Sequence, residues 1–228
     1  MFWIIFIGTM AISFLAVMRV KATYLRYSRV PASSGYNGAE AAYQILRAAG
    51  IDDVDIREKQ GTLADHYDPI HKRLVLSSEN YHGTSVAALG VAAHECGHAI
   101  QHKIAYAPLK WRMASVGLVT FVSPLTWGVP ILGVATHLIS PYTGILIMAV
   151  AFGVIMLFNL ITLPVEFDAS RRAKVILGKM SFIQEGKEAQ GVNSVLNAAG
   201  WTYVAAFITS LVYFLWYLLP LLGGGRRN

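Results

Sequence analysis

The strongest chemistry in the chain sits in one pentapeptide, His94-Glu95-Cys96-Gly97-His98, an HExxH run. Residues four apart on a helix lie one above the other on one face, so His94 and His98 can close on a single ion. Glu95 is rotated away from a ligand position but stays close enough to reach water held there. Two imidazoles, a general base and a coordination position left open are the working parts of a zinc hydrolase. The bland alternative is a helix carrying two packed or surface histidines, and the surroundings of the motif decide between the two. Cys96, the lone cysteine, fills an "x" of the motif as a small packing residue, and one cysteine excludes an internal disulfide.

Such a site needs a third protein ligand. His102 continues the four-residue series, but it lies roughly 12 Å along the helix axis from His94. Three imidazoles on successive turns cannot converge tetrahedrally on one ion. The metzincin pattern HExxHxxGxxH fails, because Gln101 stands for its Gly and Ile104 for its final His. His66, His71 and His82 are upstream loop residues without ligand spacing, and His137 sits near the far end of an apolar segment. Glu166 is the best candidate. It follows Leu163-Pro164-Val165, where an apolar run gives way to Phe167-Asp168-Ala169-Ser170-Arg171-Arg172. An acidic residue there can simply mark the end of a span; beside an HExxH it completes a gluzincin-like set of His94, His98 and Glu166.

The elements that must position these residues are largely apolar. The chain is 228 residues long, 55% hydrophobic and only 14% charged, with mean hydropathy +0.48. A soluble domain of this length rarely looks like that, and apolar runs of about 18 residues or more mark membrane spans. The formal charge of +6 does not indicate nucleic acid, because no basic stripe interleaved with aromatics occurs; the cations cluster beside the apolar runs instead. Residues 2–18 form an uncharged run followed, not preceded, by Arg19, Lys21, Arg26 and Arg29, which reads as an uncleaved anchor and not a signal peptide. Further spans are expected over Met113–Leu138, which Pro124 and Pro130 should kink or split, Tyr142–Val165, and Trp201–Leu222. Twelve Lys and Arg lie in 19–112 and five in 166–200, against two in the tail. That asymmetry places both basic segments in the cytoplasm and both termini outside.

Between the spans, Ser33–Gly38 reads as a turn capping a short helix over Ala39–Ala49, ended by Gly50. Val54-Asp55-Ile56 and Arg73–Ser77 read as short strands, with Asp65–Pro69 as the turn leading into the second. The flanks of the motif, Val86–Ala93 and Ala99–Gln101, make one helix of small apolar residues with it. Two or three short strands beside that helix suit an extended peptide added at a sheet edge, or simply complete a small core.

Taken together, Asp65-His66-Tyr67-Asp68-Pro69, Leu74–Ser77, the Tyr81-His82-Gly83 turn, Ala92–Gln101 around the HExxH and Pro164–Arg172 resemble the YugP-like membrane zinc metallopeptidases, also called neutral zinc metallopeptidases. The likeness covers nearly the whole chain, including the order of spans. It implies a bacterial membrane peptidase related to the HtpX and CAAX-protease group, with Glu166 as third zinc ligand and Glu95 as catalytic base. In that group an Asp four residues after the ligand Glu orients a ligand histidine. Here that position is Ser170, and Asp168 is the alternative source of such a contact.

The expected architecture is mostly α and integral to the membrane, about four transmembrane helices with a small cytoplasmic α+β zincin-like catalytic portion. Residues 1–20 form the N-terminal anchor, 21–112 the cytoplasmic region with the HExxH helix, and 113–165 a transmembrane hairpin. Residues 166–200 form a cytoplasmic helical segment bearing the third ligand, and 201–228 the last span and tail. The expected activity is zinc-dependent endopeptidase cleavage, with one Zn2+ per chain held by His94, His98 and Glu166 and with Glu95 as base. Its substrates would be membrane or membrane-proximal polypeptides; its setting would be the bacterial inner membrane, with the site at the cytoplasmic face, a bilayer as partner and no nucleic acid. Two rivals stand beside it: a site-2-type intramembrane protease, for which the NPDG metal-binding motif is missing, and a non-catalytic zinc-binding membrane scaffold.

Overall fold

The computed structural model describes residues 1–61 and 64–223. In chain order its elements are α1 (Phe2–Tyr27), α2 (Gly38–Ala48), β1 (Asp55–Lys59), β2 (His66–Asp68), β3 (Arg73–Ser77), α3 (Ser78–His82), α4 (Val86–Lys103), α5 (Ala107–Val122), a 3-10 turn (Ser123–Thr126), α6 (Gly128–Ala135), α7 (Pro141–Lys179) and α8 (Lys187–Gly223). Four helical stretches are long and apolar enough to cross a membrane: Phe2–Tyr27, Ala107–Ala135, Pro141–Lys179 and Lys187–Gly223. The most apolar window of α1 is only 6% buried, and Trp3, Ile4, Ile7, Phe14 and Leu15 point outward, a bare apolar surface of the kind a membrane span presents to hydrocarbon. The motif helix α4 is not among the four.

Chain contacts divide the molecule into two compact units. One comprises Met1–Phe14, Trp111–Leu163 and the chain from Tyr203 onward. Its centre is aromatic: Trp127 meets Phe152, Tyr213 and Tyr217 edge-on, with ring centroids 5.8, 5.4 and 6.1 Å away. The 3-10 turn at Ser123–Thr126, with Pro124 near its start, divides α5 from α6. That is the split expected of a proline that can neither donate a hydrogen bond nor accommodate the preceding turn. Asn159 Nδ2 donates to Ser210 Oγ at 3.0 Å, tying α7 to α8 with a polar pair. Pro164 does not end α7, which continues as one helix to Lys179.

The other unit comprises Leu15–Lys110 and Pro164–Thr202 and carries the candidate site. In α2, Asn37 accepts from the Glu40 backbone N–H at 2.9 Å while the Glu40 carboxylate accepts from Asn37 N–H at 3.0 Å, a full capping box. Ala41, Ala42, Ile45 and Leu46 form its buried stripe, and Gly50 leaves it at φ +65°, where a side chain would be strained. The sheet has the order β1-β3-β2, with β1 parallel and β2 antiparallel to β3. Leu74 and Leu76 of β3 are fully buried.

One local expectation is corrected. His66–Asp68 is a strand where a turn was expected, and the turn falls after it, held by Asp68 Oδ1 accepting from Ile70 and His71 N–H at 3.0 and 3.2 Å. β2 has only three residues and no apolar alternation; Asp65 at its entry anchors it by accepting from Ser77 N–H at 2.7 Å and from Asn80 Nδ2 at 3.0 Å.

Against this sheet and α2 packs α4, capped by Ser85 Oγ accepting from Ala88 N–H at 3.2 Å. Ala87, Ala92, Ala93 and Cys96 are fully buried on it. Small side chains let neighbours approach the α4 backbone closely from several directions, which an ordinary amphipathic helix does not allow.

Candidate metal centre

His94 and His98 lie on α4, and Glu166 on α7, 68 residues further on. Glu166 Oε2 stands 3.3 Å from His94 Nε2 and 3.6 Å from His98 Nε2. One ligand atom from each of the three lies within 4.8 Å of the other two. A tetrahedron with bonds of about 2.0–2.2 Å has edges of about 3.3–3.6 Å, so the carboxylate oxygen stands from each imidazole nitrogen at the spacing of two zinc ligands. The donor set of two neutral nitrogens and one anionic oxygen also suits that ion. Glu166 is 2% exposed and His98 8%. A carboxylate so deeply buried needs positive charge or hydrogen-bond donors facing it.

Each ring is held from behind. His98 Nδ1 meets Gln101 Oε1 at 3.0 Å. The amide nitrogen of Gln101 donates to the Val165 carbonyl at 2.8 Å and to Asp168 Oδ2 at 3.0 Å. Arg171 and Arg172 in turn donate to Asp168. His94 Nδ1 meets Ser170 Oγ at 3.1 Å. With both Nδ1 atoms engaged, the two Nε2 atoms are the ones turned toward Glu166, the arrangement in which partners of ligand histidines orient the rings. Ser170 therefore makes the contact to His94 itself, whereas Asp168 acts on His98 at one remove, through Gln101.

Burial works against the charged form of His98, but the neighbouring Glu166 and Glu95 carboxylates outweigh it and hold the imidazole above its ordinary value. Glu95 is buried, 8% exposed, on the same turn and is not one of the three converging residues. Burial pushes the Cys96 thiol well up; it is an inert packing group.

Of the other histidines, His102 is not brought to the cluster: its Nδ1 meets Tyr67 Oη at 2.9 Å. The Tyr67 hydroxyl is pushed up to about 12, by burial first and then by Asp53 and Asp68. His66 bonds the Ala64 carbonyl, His71 pairs with Asp68 and His82 with Glu58, all on the exposed surface. Tyr67 and His102 line a cleft of about 510 Å3 with Val54, Lys72 and Ala99, along the next turns of α4. Gln101 is the residue that reading by type and spacing passed over. It stands three residues after His98 inside the quoted motif, yet a neutral amide carries no signal of its own until its partners on α7 are known.

A chain with four potential membrane spans and a buried His-His-Glu cluster around an HExxH has the composition of a membrane zinc peptidase. Residues 2–222 match the family described as "Putative neutral zinc metallopeptidase", and the chain belongs to that family. It is similar to the "Putative membrane protease YugP" of Bacillus subtilis (strain 168), with 41% identity over 222 residues, 97% of each chain. No solved structure matches it.

Proposed function

We propose that the protein is a membrane-integral zinc endopeptidase in which His94, His98 and Glu166 hold one zinc ion and Glu95 is the general base. The observation that carries this reading is the convergence of Glu166, from α7, on two Nε2 atoms of α4 at tetrahedral-edge distances. When bound, zinc supplies Lewis acidity, which acidifies water and polarises a peptide carbonyl. Glu95 takes the proton of the attacking water and passes it to the leaving amine as the peptide bond breaks. Glu166 contributes the negative charge of the ligand set, and Ser170 and Gln101 keep the two rings turned toward it.

The residues 21–112 and 166–200 form the cytoplasmic portion in this reading, supported by the seventeen Lys and Arg they and the adjoining span boundary hold against two in the tail. The substrates are then membrane or membrane-proximal polypeptides of a bacterial inner membrane. Purified full-length protein should carry zinc and cleave an unstructured protein such as casein in a chelator-sensitive way. Glu95→Gln should keep the zinc and lower cleavage by about 10^2–10^4-fold. Normal cleavage by Glu95→Gln removes the assigned base; zinc uptake without any cleavage by the unaltered protein leaves a metal-binding scaffold.

A further inference from the structure

We infer that Gln101 is a positioning residue that fixes which nitrogen of His98 carries the hydrogen, and thereby which one is left to bind metal. The inference rests on the zinc-centre reading above and deepens it. Gln101 is fully buried, and all its polar atoms are engaged. On one side its amide faces the Val165 carbonyl at 2.8 Å and Asp168 Oδ2 at 3.0 Å. A main-chain carbonyl has no hydrogen to give, and the Asp168 carboxylate is already accepting from Arg171 and Arg172. Two acceptors on that side require the NH2 group there, since turning the amide over would set oxygen against oxygen twice.

The amide oxygen must then face His98 Nδ1, 3.0 Å away. An amide oxygen only accepts, so Nδ1 carries the hydrogen, and in the neutral ring the lone pair falls to Nε2, the atom 3.6 Å from Glu166 Oε2. No freely rotating group interrupts this sequence of bonds. Ser170, by contrast, offers His94 a hydroxyl that can donate or accept, and fixes nothing of the kind. The same amide also ties α4 to Val165, the residue before Glu166, so that the ring and the carboxylate are held by one side chain.

The test uses the full chain in detergent micelles and two readouts. The first is the 15N spectrum of histidine-labelled, metal-free protein at a pH where His98 is neutral, assigned with His98→Ala; the second is zinc affinity by competition with a chelator. The unaltered protein should show His98 with hydrogen on Nδ1. Gln101→Met, similar in size but without donor or acceptor, should lose that preference and bind zinc about 10–100-fold more weakly. The double variant Gln101→Glu with Asp168→Asn puts the acceptor beside His98 and the donor on α7, so it should recover the Nδ1–H form and most of the affinity. It cannot bond the Val165 carbonyl, so recovery shows that the acceptor facing His98, and not the bond to Val165, sets the ring. If Gln101→Met does not fold, the double variant carries the test.

Hydrogen on Nε2 in the unaltered protein, a Gln101→Met variant with unchanged spectrum and affinity, or a double variant no better than Gln101→Met each overturns the assignment. Failure of the unaltered protein to take up zinc would instead sink the zinc-centre reading, while the metal-free spectrum still decides the role of Gln101.

Discussion

Gly97 of α4 lies against the backbone of Ala169 on α7, so closely that a Cβ on Gly97 would stand 2.8 Å from the Ala169 carbonyl oxygen and 3.1 Å from its Cα. Backbone cannot yield as a side-chain tip can. The second variable position of the HExxH therefore sets the helix separation at which Glu166, one turn before Ala169, reaches His94 and His98. Gly97→Ala should push α7 outward, at a cost typical of overpacking, about 1–3 kcal/mol. It should lower the melting temperature of the metal-free protein and weaken zinc binding as well. Unchanged zinc affinity would mean that the close approach does not position Glu166.

Zinc held only by the folded chain must stabilise it. Removing the metal with a chelator should lower the melting temperature by several degrees, and adding zinc back should restore it. Glu166→Gln keeps the size of the side chain but removes its charge and half its acceptor capacity. That variant should fold, and its melting temperature should no longer respond to chelator or zinc. A full response in Glu166→Gln would show that the ion is held without this carboxylate.

Ser170→Ala removes the hydroxyl facing His94 Nδ1 while leaving α7 intact. Outer contacts to ligand histidines contribute about 10-fold or more in metal affinity, so zinc binding should weaken by about that factor with little loss of metal-free stability. Equal affinity in Ser170→Ala would mean that packing alone holds the His94 ring.

A control away from the site separates fold from function. Asn37→Ala breaks the capping box of α2 and should cost about 1 kcal/mol, visible as a lower melting temperature, with zinc affinity and cleavage per folded molecule unchanged. A loss of zinc in this variant would show that the packing of α4 on α2 carries the cap's loss into the metal centre.

Much of this was legible in the residues themselves. The HExxH helix, the α2 cap and the break near Pro124 each follow from local chemistry: small apolar spacing, a turn over Ser33–Gly38 ahead of the helix, and a proline within an apolar run. Glu166 could be chosen only with the HExxH in view, because an acidic residue at the end of a span by itself marks no more than the boundary. What local pattern could not supply was the continuation of α7 past Pro164, where helical neighbours override the proline, and the short strand β2, whose three polar residues are ordered by Asp65 and by pairing with β3. Gln101 was hidden for a different reason: its importance lies in atoms brought from the other helix, and an amide does not announce that in sequence. Ser170 was marked by the resemblance as the place of a histidine-orienting residue, and its hydroxyl does meet His94 Nδ1.

The most direct measurement is X-ray absorption at the zinc edge, on purified full-length protein and on Glu166→Gln. The account predicts one zinc per chain with two imidazoles and oxygen ligands at about 2.0–2.2 Å and no sulfur at about 2.3 Å, and loss of bound zinc in the variant. A sulfur shell, fewer than two imidazoles, or an unaltered spectrum in Glu166→Gln would contradict it.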